Sequence, residues 1–272
     1  MHRTLRFFIT SIFLCAAFSS EAQQPRDWAL EAATHERAAF EATDPHAAAG
    51  ALAAKASCYR QEGRYGEAAA TLGRIQMYAL SPEERSDILY RKELYHYLAG
   101  EYASAASCLD EAGPSAELRR LRLDALVLGE CGRWAESRAA ATDLLSRMYE
   151  GEELDAAQRE LDDLFMHVPR LKEEKQAVFR SFLPPLGQMY SGHVSEGLQS
   201  MLLNAAAAGW TVWQCLSGNW ITGLLGGGVA LNATFMGGME RSVQLAEQYN
   251  RDAMRAFNDA LRSLLRAHGA AV

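Results

Sequence analysis

The chain contains little of what a β-sheet protein needs. Runs rich in valine, isoleucine and threonine are absent, and alanine, leucine and charged helix formers dominate residues 25–175. There are only seven prolines in 272 residues, and some stand where a helix can begin, as in Ser81-Pro82. The sequence therefore predicts an all-α fold and argues against sandwiches, barrels and βαβ folds.

Motifs for catalysis and for metal or nucleotide binding are also missing. The seven histidines form no His-Glu-x-x-His spacing, there is no Gly-x-Ser-x-Gly elbow, and no glycine-rich stretch ends in Gly-Lys-Ser/Thr. The cysteines show no Cys-x-x-Cys spacing, and a net charge of −7 without a basic cluster argues against nucleic acid. We therefore predict a non-enzyme without metal or cofactor; a soluble helical hydrolase is the alternative.

Residues 1–22 have the three parts of a secretory signal peptide. A basic start, MHRTLR, precedes the apolar run of residues 7–18, and Ser20-Glu21-Ala22 supplies a small-x-small cleavage site. Because this apolar run is short for a membrane span, we expect cleavage rather than anchoring. A buried N-terminal helix is the alternative.

Three segments between about residues 50 and 150 repeat one another. Each has a glycine, an aromatic residue two positions later and a small residue three positions after that: Gly63-Tyr65-Ala68, Gly100-Tyr102-Ala105 and Gly132-Trp134-Ser137. The glycines are 37 and 32 residues apart, close to the period of about 34 in the tetratricopeptide repeat, which this pattern resembles. The resemblance implies a solenoid of paired helices over residues 25–175; a generic helical bundle is the alternative.

In tetratricopeptide-like repeats, a concave surface formed by the first helix of each pair binds peptides or proteins. The resemblance implies such a surface here, with aromatic, amide and cationic side chains: Arg60, Gln61, Tyr90, Tyr97, Arg119 and Arg122. Aromatic rings beside arginines suit an extended segment of a protein partner. The competing interpretation is that the tyrosines are packing residues and the arginines belong to a solvated face.

Charge almost disappears in the next part of the chain. Residues 181–239 contain a single formal charge, Glu196, in 59 positions. Two apolar segments, 197–216 and 219–239, are each about 20 residues long, which is the length of a membrane-spanning helix. Only Ser217-Gly218 separates them, so the pattern predicts a tight helical hairpin in a domain of its own.

Two further features favour a transmembrane hairpin. Tryptophans flank its turn, as expected for rings at a headgroup interface: Trp210, Trp213 and Trp220. Small residues one helical turn apart would let the two backbones approach closely: Ala205 with Gly209, and Gly223 with Gly227. A hairpin buried within a soluble protein is the alternative, because several amide side chains make the segments only moderately apolar.

The stretch that leads into the hairpin is SFLPPLGQMYSG, residues 181–192. It resembles the Pro-Gly-x-Gly-Gln-x-Tyr-x-Gly signature that precedes two apolar helices in small bacterial membrane proteins, and more loosely the lead-in of the two-transmembrane-helix domain. The matching residues are Pro184, Gly187, Gln188, Tyr190 and Gly192, whereas Pro185 stands where glycine is expected. The resemblance covers about residues 180–258 and implies a membrane hairpin without implying an activity.

Charged residues return after Met239, and residues 240–272 predict an amphipathic helix that packs on the repeats or lies on the membrane surface. A cleaved signal peptide places the repeats outside the cytoplasm, whereas the basic residues that flank the hairpin favour the opposite orientation. We give the signal peptide more weight, because a translocated domain commits the chain before the hairpin emerges. The predicted location is the inner membrane, with the repeats facing the periplasm.

Together these patterns predict a non-catalytic, membrane-tethered periplasmic adaptor whose helical repeats bind a protein partner. The alternative makes the hairpin the active part, as a homo-oligomerising membrane module that assists transport or envelope assembly.

Overall fold

A computed structural model describes residues 27–113, 117–183 and 185–269, and these residues form twelve α-helices and no β-strand. The predicted all-α class is confirmed. The predicted signal peptide and Pro184 lie outside the described residues. The chain divides into two compact units, Met1–Gly113 and Pro114–Val272.

The described residues of the first unit, 27–113, form five α-helices, each packed on the next along the chain. They are α1 (Trp28–Glu41), α2 (Pro45–Gln61), α3 (Tyr65–Leu72), α4 (Pro82–Leu98) and α5 (Tyr102–Ala112), with a short 3₁₀ helix at Met77–Ala79. Alanines and leucines from α2 and α3, including Leu52, Ala68 and Leu72, pack with Ile88 and Tyr95 of α4 in its core.

Side-chain caps define where α1, α2 and α4 of this unit begin. The hydroxyl of Ser81 accepts from the amide of Glu84, whose carboxylate accepts from the amide of Ser81, which closes a capping box at α4. His46 Nε2, near the start of α2, lies 2.7 Å from Glu84 Oε1. The Ser81 amide and His46 lower the pKa of Glu84 to about 2, and Glu84 raises the pKa of His46.

The second unit contains seven α-helices and a π-helix. They are α6 (Leu118–Glu130), α7 (Trp134–Met148), α8 (Gly151–Met166), α9 (Glu174–Ser181), α10 (Leu186–Tyr190), α11 (Val194–Leu216), the π-helix Thr222–Gly227 and α12 (Gly228–Ala267). The helix α12 has 40 residues, a length of about 60 Å.

The same glycine turn joins α2 to α3, α4 to α5, and α6 to α7. Gly63, Gly100 and Gly132 have φ angles of 73°, 77° and 71°, a conformation that glycine adopts at little cost. In each turn the residue after the glycine donates to a carbonyl five residues earlier, as in Arg64 N to Tyr59 O at 2.9 Å, which is the Schellman arrangement. The three segments that repeat in the sequence are thus three helix–turn–helix units with one turn geometry.

The second half of α12 forms the core of the second unit together with α6, α7 and α8. Phe257 contacts the rings of Trp134 and Phe165 edge-on, with centroids 4.8 and 5.2 Å away. Leu261 is fully buried in the same cluster, and its side chain lies close to Gly129. The predicted C-terminal amphipathic helix therefore packs on the third helix–turn–helix unit.

The domain boundary differs from the expected one. A change of composition near Arg180 suggested that residues 25–175 fold apart from the hairpin, but the compact units divide after Gly113. The reason is that α12 begins in the apolar segment and continues without a break to Ala267. One helix thus belongs both to the hairpin and to the core around α6–α8.

Within the described part of the chain, no helix has both the length and the mean hydropathy expected of a membrane span. The predicted helical hairpin is present, but hydropathy does not support its assignment as transmembrane.

Candidate functional site

The apolar hairpin consists of α11, a three-residue turn, and a second leg that runs through the π-helix into α12. Gly218, with φ of 83°, closes α11: its amide bonds to Cys215 O, and the amide of Asn219 bonds to Gln214 O. This is the Schellman turn of the three helix–turn–helix units again. It reverses the chain sharply enough for the two legs to pack side by side.

Glycines of the second leg let it approach α11 closely. A Cβ atom at Gly223 would lie 2.7 Å from Cys215 Sγ, and one at Gly227 would lie 2.1 Å from Thr211 Oγ1. Both glycines are buried. The second leg therefore approaches α11 most closely at Gly223 and Gly227, where a side chain would force the legs apart.

The other pair of small residues, on α11, does not lie between the two legs. Ala205 and Gly209 are exposed, and no atom lies within 4 Å of a Cβ built on Gly209. The expectation that they pack the hairpin is corrected, because the face of α11 toward the second leg carries Ser200, Asn204, Thr211 and Cys215 instead.

The outer surfaces of both legs expose large apolar side chains. Those of α11 include Leu198, Met201, Leu202, Leu203, Val212 and Leu216. Those of the second leg include Ile221, Leu224, Leu225, Val229 and Met236. Such a continuous exposed apolar surface is typical of contact with a membrane or another protein.

Polar side chains within the hairpin bond to one another or to the backbone. The hydroxyl of Thr234 donates to Asn204 Oδ1 across the two legs at 3.0 Å, and Asn204 Nδ2 donates to Ser200 O. Thr211 Oγ1 donates to Ala207 O at 2.7 Å. At the turn, Asn219 Nδ2 donates to Gln214 Oε1. The hairpin thus satisfies these polar groups internally and turns apolar groups outward.

An ion pair closes the end of the hairpin opposite the turn. Arg241 Nε and Nη2 donate to the two carboxylate oxygens of Glu196 at 2.8 and 3.1 Å. The guanidinium holds the pKa of Glu196 below its ordinary value. The sole charge of the apolar stretch therefore lies beside the first charged residues that follow it.

The lead-in motif packs against α12 beside this ion pair. Gln188 is buried and its Nε2 donates to Gly238 O at 2.9 Å. Gly187 is also buried, and a Cβ there would lie 2.0 Å from Ser181 Oγ and 3.0 Å from Ser242 Cβ. These two signature residues fix the lead-in to the second leg.

Three other signature residues shape the same end. Pro185 precedes α10 with φ of −103°, so the position where glycine was expected needs no positive φ. Gly192 has φ of 89° and ends α10. Two cations lie against the ring of Tyr190: Lys172 Nζ is 4.7 Å and Arg180 Cζ is 4.1 Å from its centroid. The hydroxyl of Tyr190 accepts from the amide of Glu173.

The residues expected to bind a partner are distributed over both units. In the first unit, Arg60 and Gln61 are exposed at the end of α2, whereas Tyr90 and Tyr97 are half-buried on α4. The ring of Tyr97 contacts that of Tyr102, with centroids 5.7 Å apart. That contact gives Tyr97 a packing role within its own helix pair.

Tyr95 on α4 lies close enough to Arg60 for the guanidinium to influence its pKa, and the sequence did not indicate it as a candidate. Its side chain is buried, and burial raises its pKa despite nearby Arg60 and Arg91. In the sequence, Tyr95 could have been selected as a candidate because it lies on α4 one turn from Arg91 and two residues from Tyr97.

In the second unit, Arg119 is exposed at the start of α6 and its Nε lies 2.8 Å from Glu117 Oε2. Arg122 is half-buried, and its guanidinium lies so close to Gly269 that a Cβ there would be 2.1 Å from Nη2. Arg122 therefore contacts the end of the chain that follows α12.

Among the described residues, no cluster of histidine, cysteine and carboxylate side chains could hold a metal ion. Cys58 and Cys108 are buried, and Cys131 and Cys215 are half-buried. Burial raises the pKa of Cys108, which makes that thiol a poor nucleophile.

In comparisons with known proteins, the chain matches no protein-family model, no curated protein and no solved structure.

Proposed function

We propose that this protein is a non-catalytic scaffold that is exported, anchored in the inner membrane by its hairpin, and able to hold a protein partner on its helical repeats in the periplasm. The observation that carries the proposal is the distribution of side chains between the inner and outer faces of the hairpin. Asn204, Thr211, Gly223 and Gly227 lie between the legs, and the large apolar side chains face outward, which is how two helices pack in lipid.

The dimensions of the hairpin suit this role. The exposed apolar part of α11 runs from Leu198 to Leu216, a rise of about 28 Å against a hydrocarbon thickness of about 30 Å. Trp213 and Trp220 are exposed beside the turn, and Glu196 and Arg241 lie at the other end. Aromatic rings at one boundary and charges at the other are typical of the two membrane interfaces.

The repeats support the scaffold half of the proposal. Three helix–turn–helix units share a Gly-x-aromatic turn, and the small residues at their crossings, Ala68, Ala105 and Ser137, are fully buried. In tetratricopeptide-like repeats, a small residue likewise lets the two helices of a pair cross closely. Arg60 and Gln61 are the expected partner-binding residues that are most exposed in the first unit.

The test combines a carbonate wash of membranes with protease access from the periplasmic side. The wild type should stay in the membrane while its repeats are digested. Replacing two outward residues at mid-depth, Leu203→Lys with Val229→Lys, should release the protein, because a lysine costs about 2.5–3.5 kcal/mol at the centre of a bilayer.

A matched control makes the same chemical change on exposed apolar residues of the first unit, Phe40→Lys with Tyr78→Lys. This variant should stay in the membrane. Release of the wild type by carbonate, or equal behaviour of the two variants, would refute membrane anchoring by the hairpin.

One observation favours the second candidate, an oligomerising hairpin. Ala205 and Gly209 form an exposed small-x-x-x-small pair on the outer face of α11, where a second copy could approach. Gly209→Leu should abolish cross-linking between hairpins in membranes, whereas changes at Arg60 and Gln61 should leave it unaffected.

A further inference from the structure

The end of the hairpin beside the ion pair carries an unusual cluster of cations. We call residues 170–192 the base segment; it contains Arg170, Lys172, Lys175 and Arg180. None of the four has a carboxylate oxygen within 4.0 Å in the described chain, whereas Arg241 and most other arginines are ion-paired. These four cations lie within eleven consecutive residues, which also contain two carboxylates, Glu173 and Glu174.

Two of these cations are held together by the signature tyrosine. Lys172 Nζ and Arg180 Cζ both lie within 5 Å of the centroid of the Tyr190 ring. The ring attracts each cation through its negative face but supplies no net charge. Asn250 fixes the backbone of Lys172 through hydrogen bonds to both its amide and its carbonyl. Lys172 Nζ also lies 5.0 Å from the centroid of the Tyr249 ring. Both cations are thus held at aromatic rings that carry no net charge, and an anion would stabilise them.

The surroundings of the pair indicate which anion. Phe179, Phe182 and Leu183 are exposed next to Arg180, and the ring of Phe182 contacts Phe235 of the second leg. Apolar side chains beside cations, at the end of an uncharged hairpin, are typical of the boundary between hydrocarbon and headgroups. A free phosphate in solution would not use the apolar half of this surface.

We propose that Lys172 and Arg180 of the base segment bind the phosphate of an anionic phospholipid, while Phe179, Phe182 and Leu183 contact the upper acyl chains. Tyr190 positions the two cations and does not itself bind the phosphate. This proposal rests on the proposed membrane anchoring of the hairpin and adds a lipid preference to it.

The test uses the full chain in neutral detergent micelles, to which either phosphatidylglycerol or phosphatidylcholine is added. The midpoint of thermal unfolding reports binding. Phosphatidylglycerol should raise the midpoint of the wild type and phosphatidylcholine should not. Lys172→Gln with Arg180→Gln should weaken phosphatidylglycerol binding about 25-fold, since each cation near an anionic surface contributes about fivefold.

The control variant Arg159→Gln with Arg266→Gln removes the same charge from exposed positions on α8 and α12 and should keep the wild-type response. Tyr190→Phe should keep it as well, whereas Tyr190→Leu should lose it. Equal responses to the two lipids, or equal losses in both double variants, would overturn the proposal. So would a wild-type response reproduced by inorganic phosphate alone, because the source would then be a soluble anion.

Flotation with pure phosphatidylcholine vesicles distinguishes the proposed lipid site from the proposed membrane anchoring on which it rests. A protein that floats with neutral vesicles but shows no preference for phosphatidylglycerol retains its membrane anchor and refutes only the lipid site. A protein that fails to float with either lipid refutes the anchor and the lipid site together.

Discussion

Two adjacent glycines in the second leg of the hairpin should respond in opposite ways to the same substitution. A Cβ at Gly227 would lie 2.1 Å from Thr211 Oγ1, 2.8 Å from Thr211 Cβ and 2.9 Å from Thr211 Cγ2. No atom lies within 4 Å of a Cβ built on Gly228. Gly227→Ala and Gly228→Ala therefore differ only in whether the new methyl group meets the other leg.

The magnitudes follow from that difference. Alanine in place of glycine gains about 0.5–1 kcal/mol of helix stability at either position. At Gly227 the contact is more than 1 Å shorter than the ~3.5 Å of normal van der Waals packing, and overpacking of this kind typically costs about 1–3 kcal/mol. Gly228→Ala should thus stabilise the hairpin, and Gly227→Ala should leave it about 1–3 kcal/mol less stable than Gly228→Ala.

Tryptophan fluorescence during denaturant titration in micelles provides the assay, because three of the five tryptophans, Trp210, Trp213 and Trp220, lie in the hairpin. Thr211→Ala removes two of the three clashing atoms, so it should restore part of the stability that Gly227→Ala loses. If Gly227→Ala is as stable as Gly228→Ala, the legs do not pack through Gly227 and the account of the inner face is wrong.

Three further predictions concern the rest of the chain. Gly132→Ala should destabilise the second unit by about 1–2 kcal/mol, because a left-handed φ strains any residue with a Cβ; thermal unfolding that is unchanged would contradict the turn geometry. The His46–Glu84 pair should stabilise the first unit fully between about pH 4.5 and 6.5. That contribution is lost as pH rises through the raised pKa of His46 and as pH falls toward the lowered pKa of Glu84. The difference in melting temperature between wild type and His46→Gln should accordingly decrease as pH rises above the raised pKa of His46, and a difference that does not change with pH would refute the pairing. Asn250→Ala should cost about 1–3 kcal/mol, since the amide and carbonyl of Lys172 lose their partner; Asn250→Asp, which keeps the acceptor, should cost less in a urea melt.

The helical class and the turns could be predicted from the sequence because they depend on local chemistry. Gly63, Gly100 and Gly132 stand where only glycine adopts a positive φ cheaply, and the structure has those angles at all three positions. The boundary between units could not be predicted in this way. It depends on Phe257 and Leu261 packing on α6–α8, more than 90 residues away in sequence. The local composition does not indicate such a contact.

The hairpin illustrates the same limit at smaller scale. Spacing by four residues indicates that two small residues share a face of a helix, but it does not say toward what that face points. Gly223 and Gly227 face α11, whereas Ala205 and Gly209 face outward. The π-helix between Thr222 and Gly227 changes which face of the second leg the following residues occupy. No pattern in the sequence predicts this π-helix. The tetratricopeptide resemblance and the membrane assignment remain predictions.

The unbroken α12 makes the hairpin and the third helix–turn–helix unit mechanically one body. With the hairpin in a bilayer, residues 240–267 would extend as a lever arm of about 40 Å beyond the membrane surface. A helix whose hydrophobic stretch exceeds the thickness of the bilayer tilts more, so it tilts more in a thinner membrane and less in a thicker one. A change of 10° in tilt would displace the far end of the arm by about 7 Å. Spin labels near Phe257, measured in bilayers of different thickness, would detect that movement. A scaffold built in this way would convert the thickness of its membrane into the position of whatever it holds.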